Sequence, residues 1–177
     1  MSPDAGPLRG TDLKRHLRGQ RRAAPPARRL AFVLENVAYP VNVGSLFRIA
    51  DACGAEQVVL TGTTPDPTAS PTIAKVGRGK HARVRWSRAA SATEAIAALR
   101  AEGFWAAAVE ITAAALPYHA VDYPPAVALV LGNEDHGVTR PAPAACDAHV
   151  SIPMFGKGAS LNVHVAAAVV AYRVLLG

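Results

Sequence analysis

The chain has 177 residues and a mass of 18.4 kDa, enough for about one domain with a sizeable core. Apolar residues make up 50% and charged residues 18%, at a mean hydropathy of +0.15, which excludes a disordered chain. Cys53 and Cys146, the two cysteines, exclude a disulfide framework and have no metal-type spacing, so no metal is expected.

The net charge of +6 is unevenly distributed. Residues 1–29 carry Lys14 and Arg9, Arg15, Arg18, Arg21, Arg22, Arg28 and Arg29 against Asp4 and Asp12, whereas residues 30–177 are neutral. A neutral body with a basic arm at 1–29 suits a polyanionic partner, although a solvated tail would look the same. Lys75, Arg78, Lys80, Arg83, Arg85 and Arg88 form a second basic cluster inside the body. The arginines of the arm also break any signal-peptide core, and no apolar run reaches the ~20 residues that span a bilayer. The expected compartment is the cytoplasm, with no membrane partner.

In chain order, a polar helix is predicted around 11–22, where Thr11 or Asp12 could cap, followed by a breaker at 23–26. From Leu30 onward, short aliphatic runs alternate with helical stretches, the pattern of α/β units around a parallel sheet. Strands are predicted at 30–34, 57–61, 104–110, 128–131 and 149–152, with a weaker one at 84–86. Helices are predicted at 43–53, 92–101 and 161–176, the first two stopped by Gly54 and Gly103. The prolines at 65, 67 and 71 make 63–71 a loop, and Tyr123-Pro-Pro another.

Familiar motifs fail on context. Gly77-Arg-Gly-Lys-His-Ala82 has the letters of a dinucleotide fingerprint but precedes a predicted strand, not a helix. There is no Walker A, HExxH or G-x-S-x-G sequence.

Three polar clusters instead stand where apolar periodicity stops. The first runs from Asn36 to Arg48 after the first strand, with Asn42 placed to cap a helix and Arg48 between Phe47 and Ile49. The second, Gly132-Asn-Glu134-Asp-His-Gly137, comes after the strand ending at Leu131, at the sheet edge where open α/β folds bind ligands. The third runs from Ser151-Ile-Pro-Met154 through Gly156 and Gly158 to Ser160-Leu-Asn162, where Ser160 could cap the last helix.

Together these segments resemble the three motifs of the SpoU/TrmH family of RNA ribose 2′-O-methyltransferases, of the SPOUT class. Asn42-Val-Gly44 with Arg48 and Asp51-Ala-Cys-Gly54 match the first motif, Leu131-Gly-Asn-Glu134 with Gly137 the second, and Ile152-Pro-Met154 with Ser160-Leu-Asn162 the third. The resemblance covers about residues 30–177. Two departures stand out: His164 replaces the small polar residue more usual after Ser-Leu-Asn, and Asp135-His136 separates Glu134 from Gly137.

The resemblance implies a parallel-sheet α/β fold with a deep C-terminal trefoil knot, an exception to the rule against knotted chains. It also implies S-adenosylmethionine as cofactor, held by Glu110, Gly132, Ile152 and Leu161, and a catalytic set of Arg48, Asn42, Glu134, Ser160 and Asn162. Arg48 is the residue the family credits with activating the hydroxyl. A guanidinium stays protonated in proteins, so a phosphate clamp and alkoxide stabiliser is the better physical role. Asn42 and Asn162 are expected to orient backbone and RNA, Glu134 to organise the loop or a partner arginine, and Ser160 to bond near a substrate phosphate.

The implied partners are RNA, either tRNA or rRNA, and a second copy in a homodimer. The last helix is apolar on nearly every face and has to be buried, in a dimer interface or in the chain's own core. No separate N-terminal RNA-binding domain is expected, which leaves recognition to the basic arm, the cluster at 75–88 and the dimer surface. A non-catalytic RNA-binding module on the same fold is the alternative function. A base-nitrogen methyltransferase fits the Arg48 and Ser160-Leu-Asn162 pattern less well.

Overall fold

Aliphatic runs without polar alternation are what a parallel sheet covered on both faces requires. The computed structural model, which describes residues 6–23 and 25–177, realises them in this way. Strands β1 (Arg29–Glu35), β2 (Gln57–Thr61), β3 (Trp86–Ala89), β4 (Trp105–Val109), β5 (Leu116–Pro117), β6 (Ala126–Leu131) and β7 (Ala148–Ser151) form one sheet in the order β3-β2-β1-β6-β4-β7-β5. Every pairing is parallel.

Side chains alternate across β1. Leu30, Phe32 and Leu34 join one core with helices α2 (Pro40–Cys53) and α6 (Val163–Leu176), while Ala31 and Val33 join another with α4 (Ala92–Ala101) and α5 (Pro141–Ala145). In α6, Ala167, Val170, Ala171, Val174 and Leu175 are buried, each valine or leucine contributing about 1.5–3 kcal/mol. The helix is therefore not buried all round: Val165, Tyr172 and Leu176 remain exposed.

Several boundaries differ from expectation. The 63–71 loop ends earlier, because Pro71 opens α3 (Pro71–Val76): with its fixed φ and missing N–H, proline suits the first helical turn. Pro141 does the same for α5. The weak strand starts two residues late, since a single 3-10 turn at Lys80–Ala82 holds Val84 by its N–H to the Lys80 carbonyl. Strand β5, only two residues long, was not expected. Gly54 caps α2 in the left-handed conformation at φ 65, as predicted, donating to the Ala50 and Asp51 carbonyls.

Three predicted caps are corrected. Helix α1 (Gly10–Ala23) starts before Thr11 and Asp12, so neither caps it, and Asp12 instead pairs with Arg15. Helix α2 starts at Pro40 behind Tyr39, which puts Asn42 inside the first turn and frees its side chain for another partner. Helix α6 is capped by Asn162, whose side chain accepts from the His164 N–H, and not by Ser160.

The basic groups also divide. Helix α1 has no buried residue. Arg28 donates to the Tyr123 and Val174 carbonyls, and Arg29 forms a bidentate pair with Glu56, so both belong to the body. Within the second cluster Lys80 pairs with Asp51 at 2.7 Å, and Arg88 is tied to the Thr64 and Gly62 carbonyls. No helix among the described residues is long and apolar enough to cross a membrane. Among them no group of three His, Cys, Asp or Glu is placed to hold a metal.

Candidate active site

Because the strands are parallel, β1, β4, β6 and β7 deliver their last residues to one edge of the sheet, where the adjoining loops enclose a cavity of about 430 Å³. Its walls come from the ends of β4, β6 and β7, the loop after β6 and the segment leading into α6. Glu110, Gly132, Ile152 and Leu161 all line it, as do Glu134 and Ser160. Asn42, Arg48 and Asn162 lie outside the lining.

The loop after β6 is fastened by three carboxylates. Glu134 accepts from the Ala38 N–H at 3.0 Å, the Tyr39 N–H at 3.3 Å and the Asn42 side-chain amide at 2.7 Å. It thereby ties the second cluster to the N-terminus of α2. Glu110 accepts from the N–H groups of Ile111 and Val138, and Glu35 from the N–H and hydroxyl of Thr139. Glu35 is buried, which these two bonds make tolerable.

Asn133 completes the fastening. Its amide donates to the Asn36 carbonyl, and its side-chain oxygen accepts from the N–H groups of Asp135 and His136. The turn is so close that a Cβ on Gly132 would sit 2.2 Å from the Gly137 carbonyl carbon, which only glycine avoids.

Asn42, 5% exposed, lies at the centre of a relay. Its amide nitrogen donates to Glu134, so its oxygen faces Nδ1 of His164 at 3.0 Å. The N–H of His164 in turn donates to the Asn162 cap. Burial lowers the His164 pKa below the usual 6.5, favouring the neutral ring. Arg48 is exposed on α2 and has no hydrogen-bond or ion-pair partner among the described residues. Ser160 is likewise exposed.

Five of the nine predicted site residues thus meet on the cavity with Glu134 bridging to Asn42, Ser160 makes a sixth, and Arg48 stands apart. Glu35, Asn133, Thr139 and His164 were not among the predicted site residues. Glu35 had a readable signal, a charged residue closing the aliphatic run of β1. Thr139 had none, because its partner lies 104 positions away.

The model of the SpoU rRNA Methylase family matches residues 29–172. A Staphylococcus aureus (strain COL) protein assigned to the TrmH family of tRNA/rRNA methyltransferases is 33% identical over 142 residues, covering 80% of this chain and 56% of the relative. The chain thus spans little more than half the length of the curated relatives it matches. Among solved structures, the S-adenosylmethionine-bound rRNA methyltransferase from Sinorhizobium meliloti superposes with a TM-score of 0.77 at 28% identity, over 87% of this chain and 58% of that one. The TrmH/SpoU tRNA modifying enzyme of A. aeolicus gives 0.75 at 25% identity, over 92% and 82%. With a family model matched along 29–172 and the all-parallel sheet of its structural neighbours, this chain belongs to the SpoU methylase family.

Proposed function

We propose that the chain transfers a methyl group from S-adenosylmethionine to a ribose 2′-hydroxyl of tRNA or rRNA, acting in the cytoplasm as a homodimer. The observation that carries this reading is the convergence of the second and third polar clusters on one cavity at the carboxyl edge of the sheet. A cavity of about 430 Å³ is within the size range of cofactor pockets, roughly 300–1,000 Å³. Its mixed lining of backbone-rich loops, Leu131, Ile152 and Leu161 fits a cofactor with an apolar ring system and polar termini. Glu110, Gly132, Ile152 and Leu161 would hold it, Glu110 chiefly by fixing the loop, since its carboxylate is engaged by amides. S-adenosylmethionine, when bound, supplies a methyl group activated by a sulfonium.

The protein's part is positioning and electrostatics. Arg48, exposed and unpaired among the described residues, is available to clamp a phosphate and stabilise charge developing on the ribose oxygen. Ser160 offers a hydroxyl at the cavity for a phosphate. Asn42 and Glu134 hold the α2 N-terminus against the loop, and Asn162 orders the start of α6. RNA binding would add α1, with Lys14, Arg15, Arg18, Arg21 and Arg22 on a helix that buries nothing. The knot implied by the family motifs belongs to the same reading, supported by the placement of β6 between β1 and β4 with β7 beyond. Dimerisation is supported by the exposed Val165, Tyr172 and Leu176 on α6. Sedimentation as an 18.4 kDa monomer at micromolar concentration would refute it.

The test of the reaction is transfer of labelled methyl to total tRNA and, separately, to rRNA, with nucleosides identified by mass spectrometry after nuclease digestion. The expected product is a 2′-O-methylated nucleoside from one pool. Methylation of a base nitrogen refutes the ribose assignment, and absence of cofactor binding favours a non-catalytic RNA-binding module.

A further inference from the structure

His164 is set apart from the other histidines by how its two nitrogens are used. Both nitrogens of His149 are occupied, by the Thr112 hydroxyl at 3.1 Å and the Pro143 carbonyl at 3.0 Å. His164 uses only Nδ1, toward Asn42. A carboxylate only accepts, so Glu134 fixes the Asn42 amide with nitrogen toward itself and oxygen toward the imidazole. Nδ1 must then carry the proton, and the neutral ring keeps its lone pair on Nε2. Nε2 has no partner among the described residues and is not sealed from solvent. His164 is next to Val163, which lines the cavity, and two residues from the Asn162 cap.

We propose that Nε2 of His164 accepts the proton of the target hydroxyl, in a relay Glu134–Asn42–His164 in which the first two groups fix the tautomer and aim of the third. The inference rests on the ribose-methylation reading above. A base oriented through its second nitrogen by a buried acceptor is the logic of a catalytic triad, here with an amide between carboxylate and imidazole. The step balances: the oxygen–methyl bond forms, the carbon–sulfur bond breaks with its electron pair leaving on sulfur, and the hydroxyl proton ends on Nε2. The role suits a neutral imidazole and not the guanidinium of Arg48, which is left to stabilise charge.

The charges around His164 do not compete for this proton. Glu134 reaches it only through Asn42, and Glu35 at the end of β1 is engaged by Thr139. Asp51 on α2 is paired with Lys80, and Arg48 lies almost two turns beyond Asn42 along α2. Arg173, at the far end of α6, donates to the His119 and Val121 carbonyls. Asp135 and His136 sit in the loop after β6, where Asn133 accepts from their N–H groups. The lowered pKa of His164, caused by burial, agrees with a ring that is neutral at pH 7.

Two measurements test the proposal. Nitrogen NMR of the substrate-free protein should show His164 as the Nδ1–H tautomer, titrating below pH 6.5; an Nε2–H tautomer, or a charged ring at pH 7, overturns it. In methyl transfer, kcat/KM of the wild type should rise with pH to a plateau, with an apparent pKa below 6.5. His164→Asn, whose amide can still donate to Asn42, should lose that limb and ~10²-fold or more in kcat, with cofactor affinity within a few fold. Added imidazole should partly restore His164→Ala. An unchanged rate and limb in His164→Asn refute the proton-acceptor role. A wild type that methylates a base, or nothing, refutes the ribose reading instead, and the tautomer measurement separates the two because it needs no substrate.

Discussion

The loop after β6 and the helix α1 are both rich in charge and differ in what the charges do. In the loop region Glu35, Glu110 and Glu134 each accept at least two hydrogen bonds, most of them from backbone N–H groups of segments far away in sequence. In α1, Lys14, Arg15, Arg18, Arg21 and Arg22 succeed one another with Asp12 as the single acidic neighbour, and nothing there is buried. Carboxylates spent on backbone amides shape a site, whereas the cations of α1, of which only Arg15 has a partner among the described residues and that one exposed on the same helix, remain available to a phosphate. Arg48 belongs with the second group although it sits on a core helix.

Gly132→Ala attacks the loop most directly. A Cβ 2.2–2.3 Å from the backbone of Gly137 and Val138 cannot be relieved by a side-chain movement, so the protein should fail to accumulate in folded form, or melt far below wild type by circular dichroism. Arg48→Ala probes the other group. Methyl transfer should be lost while the thermal midpoint hardly moves, because an exposed residue with no partner contributes within about ±0.5 kcal/mol, and S-adenosylmethionine affinity by calorimetry should stay within a few fold. Normal turnover in that variant would erase the distinction.

Glu134→Gln should cost about 1–3 kcal/mol in chemical denaturation, since an amide cannot accept on both sides and leaves a donor of the α2 N-terminus unpaired. The smallest effect is expected from combined Arg18, Arg21 and Arg22 to Ala. Stability should be unchanged, while the slope of log affinity for single-stranded RNA against log salt falls by about 2. A drop in stability there would mean that α1 packs against something after all.

The two cysteines mark the interior side of the same contrast. Burial pushes the Cys53 thiol to about 11 and the Cys146 thiol to about 12. Both should therefore resist alkylation at pH 8 in the folded protein and react on unfolding, as intact-mass measurement would show.

Legibility depended on the range of the interaction. Aliphatic runs announced β1, β2, β4, β6 and β7 because a strand covered on both faces needs little beyond its own side chains. Helix starts were less legible: Pro71 reads as the end of a loop and acts as a first-turn residue, a distinction set by whether the residues C-terminal to the proline continue in helical conformation. Asn42 and Ser160 looked like caps, and the actual cap of α6, Asn162, lies within the same motif. The second basic cluster reads as six cations close together in sequence, and the fold ties Lys80 to Asp51 and Arg88 to carbonyls of the loop after β2.

The order of strands and helices, the division of charge and the three polar clusters were determined by local sequence, since periodicity and breakers act over a few residues. Which polar group meets which was decided only when the parallel strands brought their ends to one edge. Asn42 finds Glu134 across 92 positions and His164 across 122, and the tautomer of that histidine is set by both contacts. A hydrogen bond acts within about 3 Å, so the partner of a polar side chain is a property of the folded edge and not of its neighbours in the chain.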